Sequence, residues 1–149
     1  MLFRSTYLCK GIAGFSVDVT YWGNYVTATF RRGGKKNEGG GLGAQYSVGD
    51  KIEWRGVRSG RTFEPRAAIL RLRSRDENGK LGEALGVVRI DGDTTCPVAI
   101  IDAGANRNAN ELARKAADGS AALSCAGISI AIVGVATERA KNHLERSGR

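Results

Sequence analysis

The sequence predicts one α+β domain, in which a mostly antiparallel, curved sheet carries a single main helix across one face. Two turn sequences, Gly23-Asn24 and Asn78-Gly79, each separate two β-rich runs, which is the pattern of a β-hairpin. Further along, residues 109–118 carry apolar side chains at helical spacing. A chain of 149 residues with 42% hydrophobic residues is long enough and apolar enough for one core. We therefore assign residues 1–136 to one domain and residues 137–149 to a polar tail or a short, fraying helix.

Residues 15–31 form the first predicted hairpin. With Gly23 and Asn24 as a two-residue loop, Val17 lies opposite Phe30, and every other pair along the strands follows from that register. The same register sorts both strands into one apolar and one polar face. At the end of the hairpin, we interpret Trp22 and Tyr25 as a cross-strand aromatic pair, with a ligand-stacking pair as the alternative.

The segment 31–49 is rich in glycine and basic residues, and it has too little apolar surface to offset the entropy of ordering it. We expect a flexible loop whose cations touch an anionic partner. Those cations are Arg31, Arg32, Lys35 and Lys36. A short strand, residues 50–57, follows the loop and places Trp54 in the core.

Residues 66–90 form the second predicted hairpin. A two-residue turn at Asn78-Gly79 places the small residues Gly86 and Ala84 opposite the first two of three alternating arginines. An open cationic strip results, and arginine suits bidentate contact with phosphate or carboxylate. The alternative is a solvated outer face whose charges guard a sheet edge. The strip consists of Arg71, Arg73 and Arg75.

The predicted helix over residues 109–118 begins after Asn108, a typical N-cap residue, and ends at Gly119. Its apolar stripe is almost entirely alanine, so the helix must approach the sheet closely. The stripe contains Ala109, Leu112, Ala113, Ala116 and Ala117.

Apolar strands are predicted on both sides of this helix, at residues 97–102 and 127–135. The strand–helix–strand order predicts a right-handed crossover between parallel strands. Cys96 and Cys125 each precede one of these strands, so the crossover brings them to the same edge of the sheet. A disulfide there, adding roughly 3–4 kcal/mol, is one interpretation, and two buried thiols are the other. Cys9 is left over, either in the core or free.

The charge is uneven. The net charge is +8, and residues 51–75 hold eight basic and two acidic side chains. A basic patch in this stretch favours an anionic partner, either nucleic acid or an acidic protein surface. We therefore expect three further arginines of the same stretch to assist the strip in binding, namely Arg55, Arg58 and Arg61.

Catalytic and metal-binding patterns are weak. The one histidine, His143, lies in the polar tail, and the three cysteines lack paired spacing, so we predict no metal and no cofactor. Asp102 together with Asp91 or Asp93 is the remaining enzymatic interpretation, although Asp and Gly leaving strands are also ordinary turn chemistry. We predict that the protein is not an enzyme.

Several stretches between residues 51 and 125 resemble small exported bacterial proteins whose activity is not assigned. They are Trp54-Arg-Gly, GRTFEPRAAILRL (60–72), LGVVRIDG (85–92), the following cysteine, and NANELARKAADG (108–119). The resemblance covers about half of the chain. It implies export and a Cys96–Cys125 bond, and it implies nothing about activity.

Three functions are compatible with these observations. The leading one is a non-enzymatic basic module that engages an anionic partner through the arginine strip. The second is a periplasmic or secreted structural or inhibitory protein stapled by a disulfide, and the third is a viral or assembly protein whose hairpins form a homo-oligomer interface. No apolar run approaches the roughly 18 residues of a transmembrane helix. If the N-terminus is native, we expect the cytoplasm; if a signal peptide has been removed, we expect the periplasm or the exterior.

Overall fold

The computed structural model describes residues 4–33 and 40–148. Two sheets are present. The first is antiparallel, in the order β1-β2-β3-β4, with β1 (Ser5–Lys10), β2 (Phe15–Tyr21), β3 (Val26–Arg32) and β4 (Leu42–Ala44). The second has the order β5-β6-β7-β8-β9, with β5 (Ser47–Ser59), β6 (Thr62–Arg75), β7 (Leu81–Asp91), β8 (Thr94–Asp102) and β9 (Ala131–Ile132). The helices are α1 (Ala109–Gly119) and α2 (Glu138–Arg146), and a 3₁₀ turn, Ser120–Ala122, follows α1.

The α+β class is confirmed, but the single curved sheet is wrong. The two sheets pack face to face around one core, and α1 covers the other face of the second sheet with a separate core. The reason lies in β7, where every residue from Ala84 to Ile90 is buried. A strand that is buried on both faces needs cover on both sides, and one helix covers only one. The first sheet supplies the missing layer.

The first hairpin forms in the predicted register, with Val17 opposite Phe30. Trp22 and Tyr25 stack with ring centroids 6.0 Å apart and planes at 9°. The indole Nε1 of Trp22 donates to Thr27 Oγ1 over 3.1 Å, and the guanidinium of Arg4 lies 4.7 Å from the Trp22 ring centroid. The cross-strand aromatic pair is therefore confirmed.

The second hairpin is shifted by one residue from the predicted register. The Asp76 N–H donates to the Lys80 carbonyl, and Asp76 Oδ1 accepts from the N–H groups of Asn78 and Lys80. The loop therefore has three residues, 77–79, in place of two. The carboxylate of Asp76 stabilises this turn by accepting hydrogen bonds from two backbone N–H groups of the loop and its exit.

The shift changes the neighbours of the strip. Arg71 lies opposite Leu85, and Arg73 lies opposite Glu83, in place of the small residues expected there. The predicted open strip is therefore wrong, because a carboxylate stands directly beside it.

The helix and the crossover are confirmed with different ends. The buried stripe of α1 consists of alanines, but Asn108 makes no side-chain capping bond and the chain continues past Gly119 into the 3₁₀ turn. β9 pairs with β8 in parallel, as expected for the crossover. Only two residues of the predicted strand 127–135 join the sheet, because Gly127 and Gly134 adopt positive φ angles of 69° and 80°.

The crossover brings the predicted cysteine pair together. In the structure a disulfide joins Cys96 to Cys125, with their Cα atoms 5.7 Å apart. Cys96 is buried at the start of β8, and Cys9 is an exposed free thiol on β1.

The segments expected to be a flexible loop and a fraying tail instead pack against each other. β4 is fully buried, and residues 34–39 of the Gly-rich segment lie outside the described residues. Within β4, the Gly43 N–H donates to Ser147 Oγ over 3.0 Å, and His143 Nδ1 lies 3.1 Å from the Gly43 carbonyl oxygen. A Cβ on Gly43 would overlap the Arg146 carbonyl, so glycine permits this close approach of α2.

β5 is longer than the predicted strand 50–57, and its pairing with β6 is irregular at two places. Between Val48 and Ile52, residues 49–51 leave the ladder, and a second irregularity lies between Arg55 and Gly56. Trp54 lies between these irregularities and packs against the rings of Phe15 and Phe30, so its core position is confirmed.

Candidate anion-binding surfaces

Two predicted cations of the Gly-rich segment are engaged within the fold. Arg31 Nη2 lies 2.7 Å from Asp18 Oδ2 on the outer face of the first sheet. Arg32 pairs with Glu64 over 3.3 Å and also donates to the Ala13 carbonyl over 3.2 Å. The structure thus uses both arginines to join segments of the chain. Lys35 and Lys36, the other two predicted cations, lie outside the described residues.

Arg55 is also engaged within the fold. Its Nε and Nη2 donate to the two carboxylate oxygens of Asp118 over 2.7 and 2.9 Å, and its Nη1 donates to Glu53 over 3.2 Å. The hydrogen bond from Arg55 lowers the pKa of the Asp118 carboxyl, and the hydrogen bond from Arg114 lowers that of Glu53. These charges hold α1 against β5, so Arg55 is a structural residue in this arrangement.

The three arginines of the strip lie along β6 but have different surroundings. Arg71 and Arg73 both approach the carboxylate of Glu83, at 3.5 and 3.4 Å. Arg75 folds back over its own turn, because its Nη1 donates to the Gly79 carbonyl and its guanidinium lies 4.9 Å from the centroid of the Tyr46 ring. Glu83 therefore neutralises part of the charge of the strip, and Arg75 is separated from the other two arginines.

The tip of the β5–β6 hairpin is exposed, and its arginines lie away from the carboxylates of the described residues. We call residues 56–66 the arm. Residues 56–62 are all exposed, and the strands turn at Gly60, whose φ is +59°. Arg58 lies over the Phe63 ring at 5.7 Å, whereas Arg61 and Arg66 are exposed. Within the described part of the chain, none of these three arginines has an ion-pair partner.

Ion pairs join the base of the arm to the rest of the fold, whereas its tip is exposed. The Arg32–Glu64 pair connects it to the first sheet, and the Arg55–Asp118 pair fixes the adjoining part of β5 to α1. At Gly56 the two strands pass so closely that a Cβ would overlap the Glu64 carbonyl. The arm is therefore a two-stranded ribbon presented by two layers of the fold.

Arg66 is the candidate that sequence reasoning missed. It belongs to the same basic stretch as Arg58 and Arg61, but only the irregular pairing after Arg55 shows that it lies at the base of the exposed ribbon. Lys51 and Arg114, which line a groove beside α1, were missed for another reason: they lie on separate elements that only the fold brings together.

The proposed carboxylate chemistry at Asp102 does not match the structure. Asp102 is buried, its Oδ1 accepts from the N–H groups of Gly104 and Ala105, and its Oδ2 accepts from the Thr137 hydroxyl over 2.6 Å. Asp102 begins the β7–β8 ladder at one end, and Asp91 lies at the other end, roughly 25 Å away along the strand. The pairing of Asp102 with Asp91 or Asp93 is wrong, and Asp102 organises the turn that leads into α1.

Among residues 4–33 and 40–148, no three His, Cys, Asp or Glu side chains are grouped to hold a metal ion. In the same residues, no helix has both the length and the hydropathy to span a membrane. Comparisons with protein-family models, with curated proteins and with solved structures found no match.

Proposed function

We propose that the protein is a non-enzymatic binding module that engages an anionic macromolecule through the arm. The observation that supports this most is the contrast among its arginines. Arg31, Arg32 and Arg55 contact carboxylates, whereas three guanidinium groups on the arm do not. An unpaired guanidinium on an exposed ribbon can contact phosphate or carboxylate without first breaking an internal ion pair. The three groups are those of Arg58, Arg61 and Arg66.

Duplex nucleic acid is the partner that the shape of the arm favours. A two-stranded β-ribbon fits the major groove of B-DNA, and most protein–DNA hydrogen bonds go to phosphate and sugar, often from arginine. The net charge of +8 adds long-range attraction to any polyanion. An acidic protein surface is the competing partner.

Replacing all three arm arginines by glutamine is expected to weaken binding to a 16-base-pair duplex at least about tenfold at 0.1 M salt. Each phosphate that is no longer contacted keeps its counterions, so the favourable release of those ions is lost. Fluorescence anisotropy with a labelled duplex measures this. The matched control replaces three exposed basic residues elsewhere and removes the same charge. The arm variant is R58Q/R61Q/R66Q, and the control is K10Q/R107Q/K115Q.

Equal losses in both variants would show that net charge alone attracts DNA, and a wild type that binds neither the duplex nor polyglutamate would overturn the proposal. If the protein binds polyglutamate more tightly than the duplex, the partner of the arm is an acidic protein surface. The control should stay within about threefold of the wild type, because its positions lie on other surfaces.

A second candidate function is a structural or inhibitory protein of an oxidising compartment. The Cys96–Cys125 disulfide favours it, since such bonds are rare where thiols are kept reduced. We expect protein from its native host, alkylated before any reduction, to be labelled at Cys9 alone. Labelling at all three cysteines would remove this candidate.

A further inference from the structure

We propose a second, separate site: a groove beside α1 that binds a compact anion with at least two acidic oxygens, such as a dicarboxylate or a phosphate. The groove has a volume of about 540 Å³ and lies between the first irregularity of β5, the middle of β6 and the first turns of α1. Nothing in the arm contributes to it. Its polar lining consists of Asp50, Lys51, Glu53, Arg71, Arg73, Asn110 and Arg114.

The charge balance of the groove is positive. Four cations line it, Lys51, Arg71, Arg73 and Arg114, against two carboxylates, Asp50 and Glu53. Counting Glu83, which stands beside Arg71 and Arg73, one positive charge is still in excess. An added anion would therefore bring the groove closer to neutrality.

The ion pairs around the groove fall into two classes by distance. Arg114 binds Glu53 with two nitrogens, each 2.9 Å from its nearest carboxylate oxygen, which is the usual length for a charged hydrogen bond. In contrast, Arg71 and Arg73 share the one carboxylate of Glu83 at 3.5 and 3.4 Å. Their other contacts, to the Asn110 amide and the Val48 carbonyl, are 3.3 Å long. Two guanidinium groups thus retain donors for a second anion.

Glycine at position 49 leaves room beside Arg71. Gly49 lies over Arg71, and a Cβ there would stand only 3.1 Å from the Arg71 Cβ, so a larger residue would crowd the arginine. The side chains of Arg71 and Arg73 remain 41% and 33% exposed. The apolar residues Ile69 and Leu85, which belong to the core beneath α1, also line the groove, and apolar surroundings strengthen charge interactions.

The shape of the groove decides the class of ligand. A volume of this size matches small-molecule sites. Residues of the irregular part of β5 line one side of the groove and residues of α1 line the other, with Arg71 and Arg73 between them. A small oxyanion placed there can reach both arginines.

The test titrates the protein separately with succinate and with inorganic phosphate, against sodium chloride at equal ionic strength. NMR of the Nε–Hε groups of Arg71 and Arg73 reports on the site directly. We expect saturable shifts for at least one probe, and which probe binds more tightly distinguishes a dicarboxylate from a phosphate ligand. Arg73→Gln should weaken binding about tenfold, as expected for one charged hydrogen bond.

Glu83→Gln gives the sharpest comparison, because it removes the internal competitor and should tighten binding by about threefold or more. Glu77→Gln removes the same charge from an exposed turn and should change nothing. The triple arm variant should bind the small anions like the wild type, so a failure here is independent of the arm. Unsaturable shifts that chloride reproduces, or equal effects of E83Q and E77Q, would overturn the proposal. If R73Q fails to fold, this pair of glutamine variants still decides it.

Discussion

Replacing Cys96 and Cys125 together by alanine is expected to lower the free energy of unfolding by about 3–4 kcal/mol. The bond closes a loop across a sequence separation of 29 residues, and that loop contains the whole of α1. Without the bond, the unfolded chain regains the entropy that the closed loop denies it. Urea denaturation under oxidising conditions measures the difference.

The matched control for this variant is Cys9→Ala. Cys9 is an exposed free thiol on an edge strand, so its loss should leave the free energy of unfolding within about 0.5 kcal/mol of the wild type. Reductant should destabilise the wild type and have no effect on the double variant. A double variant as stable as the oxidised wild type would show that the bond contributes nothing to stability.

Acid is expected to remove about 3 kcal/mol of stability through one residue, His143, as the pH falls from 6.5 to 4. Burial lowers the pKa of His143 from 6.5 to about 4. Its Nδ1 lies 3.1 Å from the Gly43 carbonyl oxygen and donates to it, while Nε2 is buried with no hydrogen-bond partner among the described residues. A proton on Nε2 would therefore place a positive charge in the interior, and the new N–H group would have no hydrogen-bond acceptor among the described residues.

The direction follows from the proton balance. The folded protein binds fewer protons than the unfolded chain between pH 6.5 and 4, so the contribution of neutral His143 is complete above pH 6.5 and is lost toward pH 4. Carboxylates with lowered pKa, such as Glu53 and Asp118, add their own losses only at lower pH. The interval from pH 6.5 to 5 therefore reports mainly on the one histidine of the chain.

His143→Asn is the informative variant, because an amide can still donate to Gly43 but cannot titrate in this range. We expect it to be less stable at pH 7, since it leaves a cavity, yet nearly insensitive to pH between 6.5 and 5. Chemical denaturation at a series of pH values measures both quantities. A histidine that titrates near 6.5 by NMR, or an unchanged acid slope in the variant, would contradict this prediction.

The two hairpins show when the strand register can be predicted from the sequence and when it cannot. In the first, strict alternation along residues 15–31 rejects every register but one. In the second, the apolar runs around Leu70 and Val87 are buried on both faces, so a shift by one residue moves no polar side chain into the core. The carboxylate of Asp76 then decides the loop length, and this contact is not visible in the Asn-Gly pattern.

The candidate site depended on contacts over long sequence distances. The sequence predicts an arginine-rich surface in residues 51–75, but Arg55 binds Asp118 across 63 residues, and no local pattern shows that contact. The packing of α2 against β4 could not be predicted from the polar tail, because it also depends on a contact between residues far apart in sequence. Ala140 and His143 repeat at helical spacing, but a single histidine among charged residues does not look like a buried face until Gly43 is placed beside it.

The proposal that the arm binds a nucleic-acid duplex is tested most directly by the salt dependence of its affinity. The measurement is the slope of the logarithm of the association constant against the logarithm of salt concentration. If Arg58, Arg61 and Arg66 each neutralise one phosphate, the slope for R58Q/R61Q/R66Q should be less steep than that of the wild type by about 2.7, while K10Q/R107Q/K115Q keeps the wild-type slope. Equal slopes for the wild type and the arm variant would contradict the proposal.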